Sequence, residues 1–333
     1  MKAEQWFTHP VGLTVSAIVS TLLWGSAMPA IKIGYSELHI QSSQMFEQWV
    51  FAGYRFTLAG LMLVLFALLL EKKSNAQEPH AAASAKPLST GRKWFLVARL
   101  ASIQTLLQYL FFYIGLSLST GMQGAIITGA TSFFQMLVAR FMDRSECFSA
   151  NKTSGLILGF AGVAIVTFTQ GGFHMQLGIG DVCLILSAFC GGFGNVLAKH
   201  EAKQLPVLWL TGRQMLLGGI VLTIIGAAKV GIAPFAWDAS SLLLLLYLAF
   251  LSAAGFGLWN LIMKYNSVGK VSMFLFLIPV FGVFLSVLLL GEQFNEWILL
   301  ALMLVAVGIL VVNRTPKHVK KSQAAPSLNV TQP

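Results

Sequence analysis

Apolar residues run almost without interruption through most of this chain, in stretches longer than the core helices of a water-soluble domain. A helix needs about 20 apolar residues to cross the hydrocarbon core of a bilayer. The stretches are continuously apolar and do not alternate as barrel strands do. The pattern therefore predicts ten spans, numbered in chain order: 11–34, 48–70, 94–117, 121–142, 153–171, 178–200, 207–228, 240–263, 270–290 and 294–313.

Composition supports an all-α integral membrane protein. Hydrophobic residues make up 56% of the 333 positions and charged residues only 10%, against about 25% charged residues in a soluble domain. The net charge of +10 would indicate nucleic-acid binding in a soluble protein. Here the positions of the basic residues along the chain give a different explanation for the positive net charge.

The basic residues are distributed to one side of the predicted spans. If the N-terminus is cytoplasmic, 17 of the 22 Lys and Arg residues lie at the cytoplasmic side and only Lys229 lies at the other. Cytoplasmic loops of membrane proteins collect Lys and Arg. We therefore predict a multi-pass protein of the cell (cytoplasmic) membrane with both termini in the cytoplasm, embedded in lipid, without a nucleic-acid partner. Residues 73–90 and the tail 314–333 are small, polar and Pro-containing, and we expect both to be flexible and cytoplasmic.

The two halves of the chain share a pattern. Three pairs of residues recur in the same order and at the same spacing, five spans later: Gly25 and Lys32 with Gly192 and Lys199, Arg55 and Gly60 with Arg213 and Gly218, and Glu146 and Gly162 with Glu292 and Gly308. Because five is odd, the second half enters the membrane from the opposite side. The pattern predicts an inverted repeat of residues 1–171 and 178–313, an architecture that many transporters use for alternating access.

Several longer segments resemble a known family. FYIGLSLSTGMQGAIITG (112–129), YLAFLSAAGFGLWNLIMKY (247–265), FLIPVFGVFLSVLLLGEQF (276–294) and the WGS of span 1 resemble the EamA family of the drug/metabolite transporter superfamily. The resemblance covers nearly the whole chain as two EamA repeats. It implies a basket-like fold of ten transmembrane helices, a central cavity lined mainly by spans 1, 3, 4, 6, 8 and 9, and export of amino acids, other metabolites or toxic compounds.

Two positions depart from the family pattern. The proline expected in span 4 is missing from the stretch 131–135, and Gly191 stands in span 6 where the family often has Trp. We expect both positions to touch the cavity, so the substrates of well-known members do not transfer directly.

Polar side chains on the apolar spans are the candidates for solute binding. Gln104 and Gln108 are four residues apart on span 3, and Thr128, Thr131 and Gln135 share one face of span 4. The alternative is that such groups only bond helices together, at about 0.6 to 2 kcal/mol per contact. The candidate cavity residues are Trp24, Ser26, Gln104, Gln108, Tyr109, Thr128, Thr131, Gln135, Asn195, Trp259 and Asn260.

Glycines and prolines within the spans predict helix bends. Pro29 has no N–H, so the carbonyl of Gly25 loses its helical partner and should face a cavity or a polar group. A kink made only for packing is the alternative. We expect bends at Gly25, Pro29, Gly192 and Pro279.

Four basic residues within or near the ends of the spans require an explanation. Lys32 and Lys199 lie near helix ends, where they can snorkel or attract an anion at the two mouths of a pathway. Arg55 and Arg213 occupy equivalent repeat positions on spans 2 and 7, which the family resemblance places at the periphery. We favour a structural role for them, bonded to helix ends, although charges within a membrane are functional candidates by default.

The positions of the acidic, histidine and cysteine residues bear on the class of function. No Asp or Glu lies in the middle of a span, all six His lie in predicted loops or at helix ends, and the three Cys lack metal-ligand spacing. We therefore expect no metal, no cofactor and no enzymatic activity. The sequence predicts a secondary transporter that exports neutral, zwitterionic or weakly anionic metabolites by alternating access. A scaffold or receptor remains an alternative, a membrane-embedded enzyme is less favoured, and the oligomeric state is left open.

Overall fold

The structure is a computed structural model, described over residues 3–77, 88–142, 178–292 and 296–313 and at a few positions between 153 and 165. All regular structure in this part of the chain is helical. Most of predicted span 5, residues 78–87 of the predicted flexible segment and the tail 314–333 lie outside the described residues.

Eight helical stretches are long and apolar enough to cross a bilayer, as expected for a multi-pass membrane protein. A short helix, Ala3–Thr8, precedes them. The stretches correspond to spans 1–4 and 6–9: Pro10–Glu37, Met45–Lys72, Thr90–Ser117, Gly121–Met142, Ile179–Glu201, Val207–Val230, Ala239–Tyr265 and Val268–Leu290. At the predicted span 10 lies the helix Glu296–Asn313. The helix of span 2 continues to Gln77, so residues 73–77 of the predicted flexible segment are helical.

The helices pack in pairs that follow a two-fold relation between the halves. Span 1 packs on spans 8 and 9, and its counterpart span 6 packs on spans 3 and 4. Span 2 likewise packs on span 8, and span 7 on span 3. Two pairs join counterparts directly, span 2 with span 7 and span 4 with span 9. Each of these pairs is the one expected if two similar halves are related by an axis in the membrane plane.

Glycines allow spans 2 and 7 to approach closely. A Cβ at Gly60 would lie 2.4 Å from the backbone nitrogen of Leu216, and one at Gly219 would lie 2.4 Å from that of Thr57. Gly53 meets Thr223 in the same antiparallel register. Small residues at such crossings let backbones pack without a hydrophobic driving force between helices.

Two opposite ends of the bundle can be distinguished. We call the end that carries Arg99, Lys199 and Glu201 the basic end, where Arg99 and Glu201 form an ion pair at 2.7 Å. At the opposite end, Glu292 accepts hydrogen bonds from the N–H groups of Gly121 (2.7 Å) and Met122 (2.9 Å). Its carboxylate thereby caps the first turn of span 4 from the end of span 9, where a negative charge favours the helix dipole.

Spans 4 and 9 are each interrupted along their length. Span 4 consists of the helices Gly121–Thr128 and Thr131–Met142, and span 9 changes from helix to a 3₁₀ turn at Met273–Phe276 before the helix Leu277–Leu290. Ala130 and Phe276 are separated by the same number of residues as Glu146 and Glu292, which occupy equivalent positions in the two halves. The interruptions therefore occupy equivalent repeat positions. The break in span 4 contacts span 9 just after its 3₁₀ turn, because a Cβ at Gly129 would lie 3.1 Å from Pro279 Cγ.

Replacing Gly219 with Ala should destabilise the protein by about 1–3 kcal/mol, because the new methyl group meets backbone atoms that cannot move aside. The midpoint of thermal unfolding in detergent would measure this. Gly91→Ala is the matched control, since no atom lies within 4 Å of a Cβ there. Equal midpoints for the two variants would contradict the close crossing of spans 2 and 7.

Glu292→Ala should lower the unfolding midpoint by an amount equivalent to about 0.5–2 kcal/mol, because two N–H groups lose their carboxylate acceptor. Glu292→Gln keeps one acceptor oxygen without the charge and should fall between Ala and the native residue. A midpoint unchanged in both variants would show that the cap does not stabilise span 4.

Candidate functional site

A cavity lies at the centre of the bundle, between the two interrupted spans. Its volume is about 50 Å³, which is room for a few water molecules. Its walls come from spans 1, 3, 4, 6, 8 and 9, the six that the family resemblance implies, together with one residue of span 2. A pocket for a drug-sized ligand measures about 300–1,000 Å³, so this conformation must open to admit an organic solute.

Six of the candidate residues line this cavity. They are Trp24 of span 1, Gln108 and Tyr109 of span 3, Thr128 and Thr131 of span 4, and Asn195 of span 6. They share their walls with apolar side chains, among them Met28, Phe112 and Phe256. The result is an aromatic and apolar chamber with a few polar groups, the usual composition of a small-molecule site.

Two predicted cavity residues, Gln104 and Gln135, instead bond to Asn195 and to other spans. Gln104 Nε2 donates to Asn195 Oδ1 (2.9 Å), and Asn195 Nδ2 donates to Gln135 Oε1 (2.8 Å). Gln135 Nε2 continues the chain to Ser272 Oγ (2.7 Å). On the other side, Gln214 Nε2 donates to Gln104 Oε1 (3.3 Å), and Thr105 Oγ1 donates to Gln214 Oε1 (2.7 Å). We call these six side chains the polar seam: Thr105, Gln214, Gln104, Asn195, Gln135 and Ser272.

The polar seam lies between the cavity and the basic end. Its members lie nearer that end than the cavity residues of the same helices, as Gln104 does relative to Gln108 and Gln135 relative to Thr131. All six side chains are buried. The seam joins spans 3, 4, 6, 7 and 9, which corresponds to the helix-bonding alternative that the sequence left open.

A π-helical segment explains why Gln104 and Gln108 separate. Residues Ala101–Leu107 form a π-helix inside span 3, whereas the predicted common face of Gln104 and Gln108 requires regular α-helical spacing. The wider turn changes the angle between positions four apart, so that Gln104 faces the seam and Gln108 the cavity. Such segments are frequent at functional sites.

Three further candidates lie away from the cavity. Ser26 bonds to the carbonyl of Leu23 (2.8 Å) and to the hydroxyl of Tyr247 (2.6 Å). Its position two residues after Trp24 turns it to another face of the helix. Trp259 is fully buried behind Trp24, with ring centroids 5.3 Å apart, and Asn260 donates to Thr211 Oγ1 (3.0 Å).

The glycines and prolines at which bends were expected lie within helices, and the bends themselves stay predictions. The helices of spans 1 and 6 are unbroken at Gly25, Pro29 and Gly192. A Cβ at Gly25 would lie 2.7 Å from Phe281 Cβ, and one at Gly192 2.6 Å from the backbone nitrogen of Gln135. These glycines therefore permit close crossings of span 1 on span 9 and of span 6 on span 4. Pro279 lies just after the 3₁₀ turn of span 9.

The two lysines bond to loops at opposite ends of the bundle. Lys32 Nζ donates to the carbonyl of Ser119, between spans 3 and 4. Lys199 Nζ donates to the carbonyl of Asn266 at 2.7 Å, between spans 8 and 9. The two contacts are related by the repeat, and each ties a helix end to a loop of its own half.

The expected peripheral position of Arg55 is wrong. Its side chain is 1% exposed and lines the cavity, and it bonds to side chains of spans 8 and 3 rather than to helix ends. Nε donates to Ser252 Oγ (2.7 Å) and Nη1 to the hydroxyl of Tyr113 (3.2 Å). Arg213, by contrast, stays on its own helix, where it donates to the Trp209 carbonyl (3.4 Å) and lies 4.1 Å from the centre of the Trp209 ring.

Gly191 leaves space that Gln108 fills. A Cβ at Gly191 would lie 2.9 Å from Gln108 Nε2, so a larger side chain would displace this amide. Gln108 Oε1 is buried and has no hydrogen-bond partner among the described residues.

Span 4, where the proline of the family pattern is missing, breaks without a proline. N–H groups such as that of Ala130 bond to the carbonyl three residues back instead of four.

Comparison with known proteins agrees with this architecture. The model of the EamA-like transporter family matches residues 13–168 and again residues 178–314. The chain is 29% identical over 306 residues to the "Uncharacterized transporter YvbV" of Bacillus subtilis (strain 168), with 90% of each chain covered. It is 23% identical over 307 residues to a "Probable amino-acid metabolite efflux pump" of Escherichia coli (strain K12), with 89% of this chain and 93% of that protein covered.

A solved crystal structure shares the fold. It superposes with a TM-score of 0.66 over 95% of this chain and 100% of its own, at 16% sequence identity. Two family matches that together span nearly the whole sequence, and membrane-spanning helices paired as two related halves, lead to one conclusion: the chain is a multi-pass membrane transporter that belongs to the EamA-like transporter family.

Proposed function

We propose that this protein is a secondary transporter of the cytoplasmic membrane that exports small organic metabolites, amino acids or related neutral, zwitterionic or weakly anionic solutes. The observation that carries the proposal is the central chamber, where the interrupted spans 4 and 9 meet and side chains of both halves converge. Discontinuous helices at the interface of two repeats are typical of carrier binding sites. The relatives named as amino-acid metabolite efflux pumps support the substrate class and the direction.

Alternating access would require the polar seam to open. The seam bonds helices of both halves, so a rotation of one half against the other would break its hydrogen bonds and connect the chamber to the basic end. Each such contact within a membrane is worth only about 0.6 to 2 kcal/mol, which permits reversible opening. With both termini in the cytoplasm, as the basic residues favour, the basic end is cytoplasmic.

Metabolite profiling of medium and cytosol, with and without overexpression, tests the proposal and identifies the solute. A transporter should change the ratio of a solute across the membrane, and the purified protein should exchange that solute across proteoliposomes. Binding without exchange would indicate a receptor, and chemical conversion an enzyme. Robust efflux of a permanent cation driven by a pH gradient alone would contradict the proposed solute class.

Gln108→Ala should lower the rate of transport several-fold without lowering membrane abundance, because it removes a polar group that lines the chamber and has an unused acceptor. The rate of exchange in proteoliposomes at equal protein density would measure this. Gln41→Ala is the matched control, since that side chain is exposed outside the spans. Equal rates for Gln108→Ala and the native protein would remove Gln108 from the binding site.

A further inference from the structure

We propose that Arg55 is the anion-binding residue of the chamber and that the transported solute carries a carboxylate. This inference rests on the proposed transport function and narrows its solute class. The role differs from the structural one that the sequence suggested for this arginine, and its counterpart Arg213 in the second half does not share it.

Arg55 is a buried cation without a compensating anion in the described part of the chain. A guanidinium remains protonated in proteins, and taking one out of water is costly unless an opposite charge pairs with it. Arg99 illustrates the usual solution, because it pairs with Glu201 at 2.7 Å. Among the described residues, Arg55 donates hydrogen bonds to the hydroxyls of Ser252 and Tyr113 alone, and neutral acceptors do not balance its charge.

The guanidinium keeps a free edge. Ser252 accepts from Nε and Tyr113 from Nη1, and Nη2 makes no hydrogen bond among the described residues. The two bonds fix the plane of the group, while Phe56 and Tyr109 flank it, with ring centres 5.0 and 5.7 Å from Cζ. An arginine held in one plane with unused N–H groups beside a cavity is preorganised for a carboxylate.

The rest of the chamber fits the organic part of such a solute. Trp24, Phe112 and Phe256 supply apolar faces, and Gln108 Oε1 supplies an acceptor that an ammonium or hydroxyl could use. No Asp or Glu is among the described residues that line the chamber, so an organic cation without a carboxylate would meet the Arg55 charge and no opposite one there. The arrangement favours an organic acid or an amino acid over an amine.

Binding to the purified protein tests this inference separately from transport. The probes are acid and amine pairs of similar shape, 3-phenylpropionate with phenethylamine and 4-methylpentanoate with 3-methylbutylamine, together with phenylalanine and leucine. Quenching of tryptophan fluorescence measures binding, and thermal stabilisation provides a second measurement. At least one carboxylate probe should bind the native protein about tenfold or more tightly than its amine partner, as expected for a charge-assisted hydrogen bond.

Variants then assign the preference to Arg55. Arg55→Gln should abolish the difference between acid and amine, whereas Arg55→Lys should retain it with weaker binding, because the charge remains without the planar fork. Ser252→Ala should weaken acid binding without abolishing the preference, because the charge remains while one of the two bonds that fix its plane is lost. The unfolding midpoint of each variant checks that it is folded. Arg213→Gln is the matched control at the equivalent repeat position and should bind acids as the native protein does.

The outcomes separate the two proposals. Carboxylate-selective binding lost in Arg55→Gln, without exchange in proteoliposomes, would support the anion site and contradict transport. Exchange of a solute lacking a carboxylate, at the same rate in Arg55→Gln as in the native protein, would overturn the inference and leave transport intact. Equal binding of every acid and its amine by the native protein would also overturn it.

Discussion

Every backbone N–H and C=O inside a bilayer must find a partner within the protein, and this constraint decides where the chain is interrupted. In the described residues, the breaks in spans 4 and 9 lie beside the chamber, where Ala130 and Leu275 are buried in protein rather than exposed to lipid. At Gly129 and Ala130 the N–H groups bond three residues back. The chamber and the irregular backbone around it therefore require one another, and two related halves place both breaks at one depth.

The same need for hydrogen-bond partners inside the bilayer applies to the polar side chains. An amide that faces hydrocarbon would lose its hydrogen bonds. The amides of Gln104, Gln135, Asn195 and Gln214 bond within the polar seam, and Gln108 lines the chamber. Asn195 does both, because it bonds to Gln104 and Gln135 in the polar seam and borders the cavity. A seam of neutral amides is suited to a carrier, since it satisfies its members when closed and each of its bonds is weak enough to break.

The fold could be read from the sequence to a large extent, since long apolar runs, the recurrence of Gly25 and Lys32 as Gly192 and Lys199, and the EamA segments point to a membrane fold of two repeats. The site could be read only in part. Gln104 and Gln108 were both expected to face the cavity, but the π-helical segment separates them. The local amino-acid composition does not predict such a turn. The break in span 4 was likewise hidden, because it occurs without proline.

Arg55 and Arg213 show that equivalent positions of a sequence repeat can have different surroundings in the structure. The spacing of Arg55 to Gly60 is repeated at Arg213 and Gly218, so sequence alone gives both arginines the same role. The surroundings distinguish them: Ser252 and Tyr113 hold Arg55 against the chamber, whereas Arg213 rests on Trp209 of its own helix. An inverted repeat supplies a symmetric scaffold, but a solute with one carboxylate is not symmetric. A charge on one side of the axis gives such a solute one orientation in the chamber. The polar seam and the wall opposite Arg55 then need not follow the symmetry of the repeat.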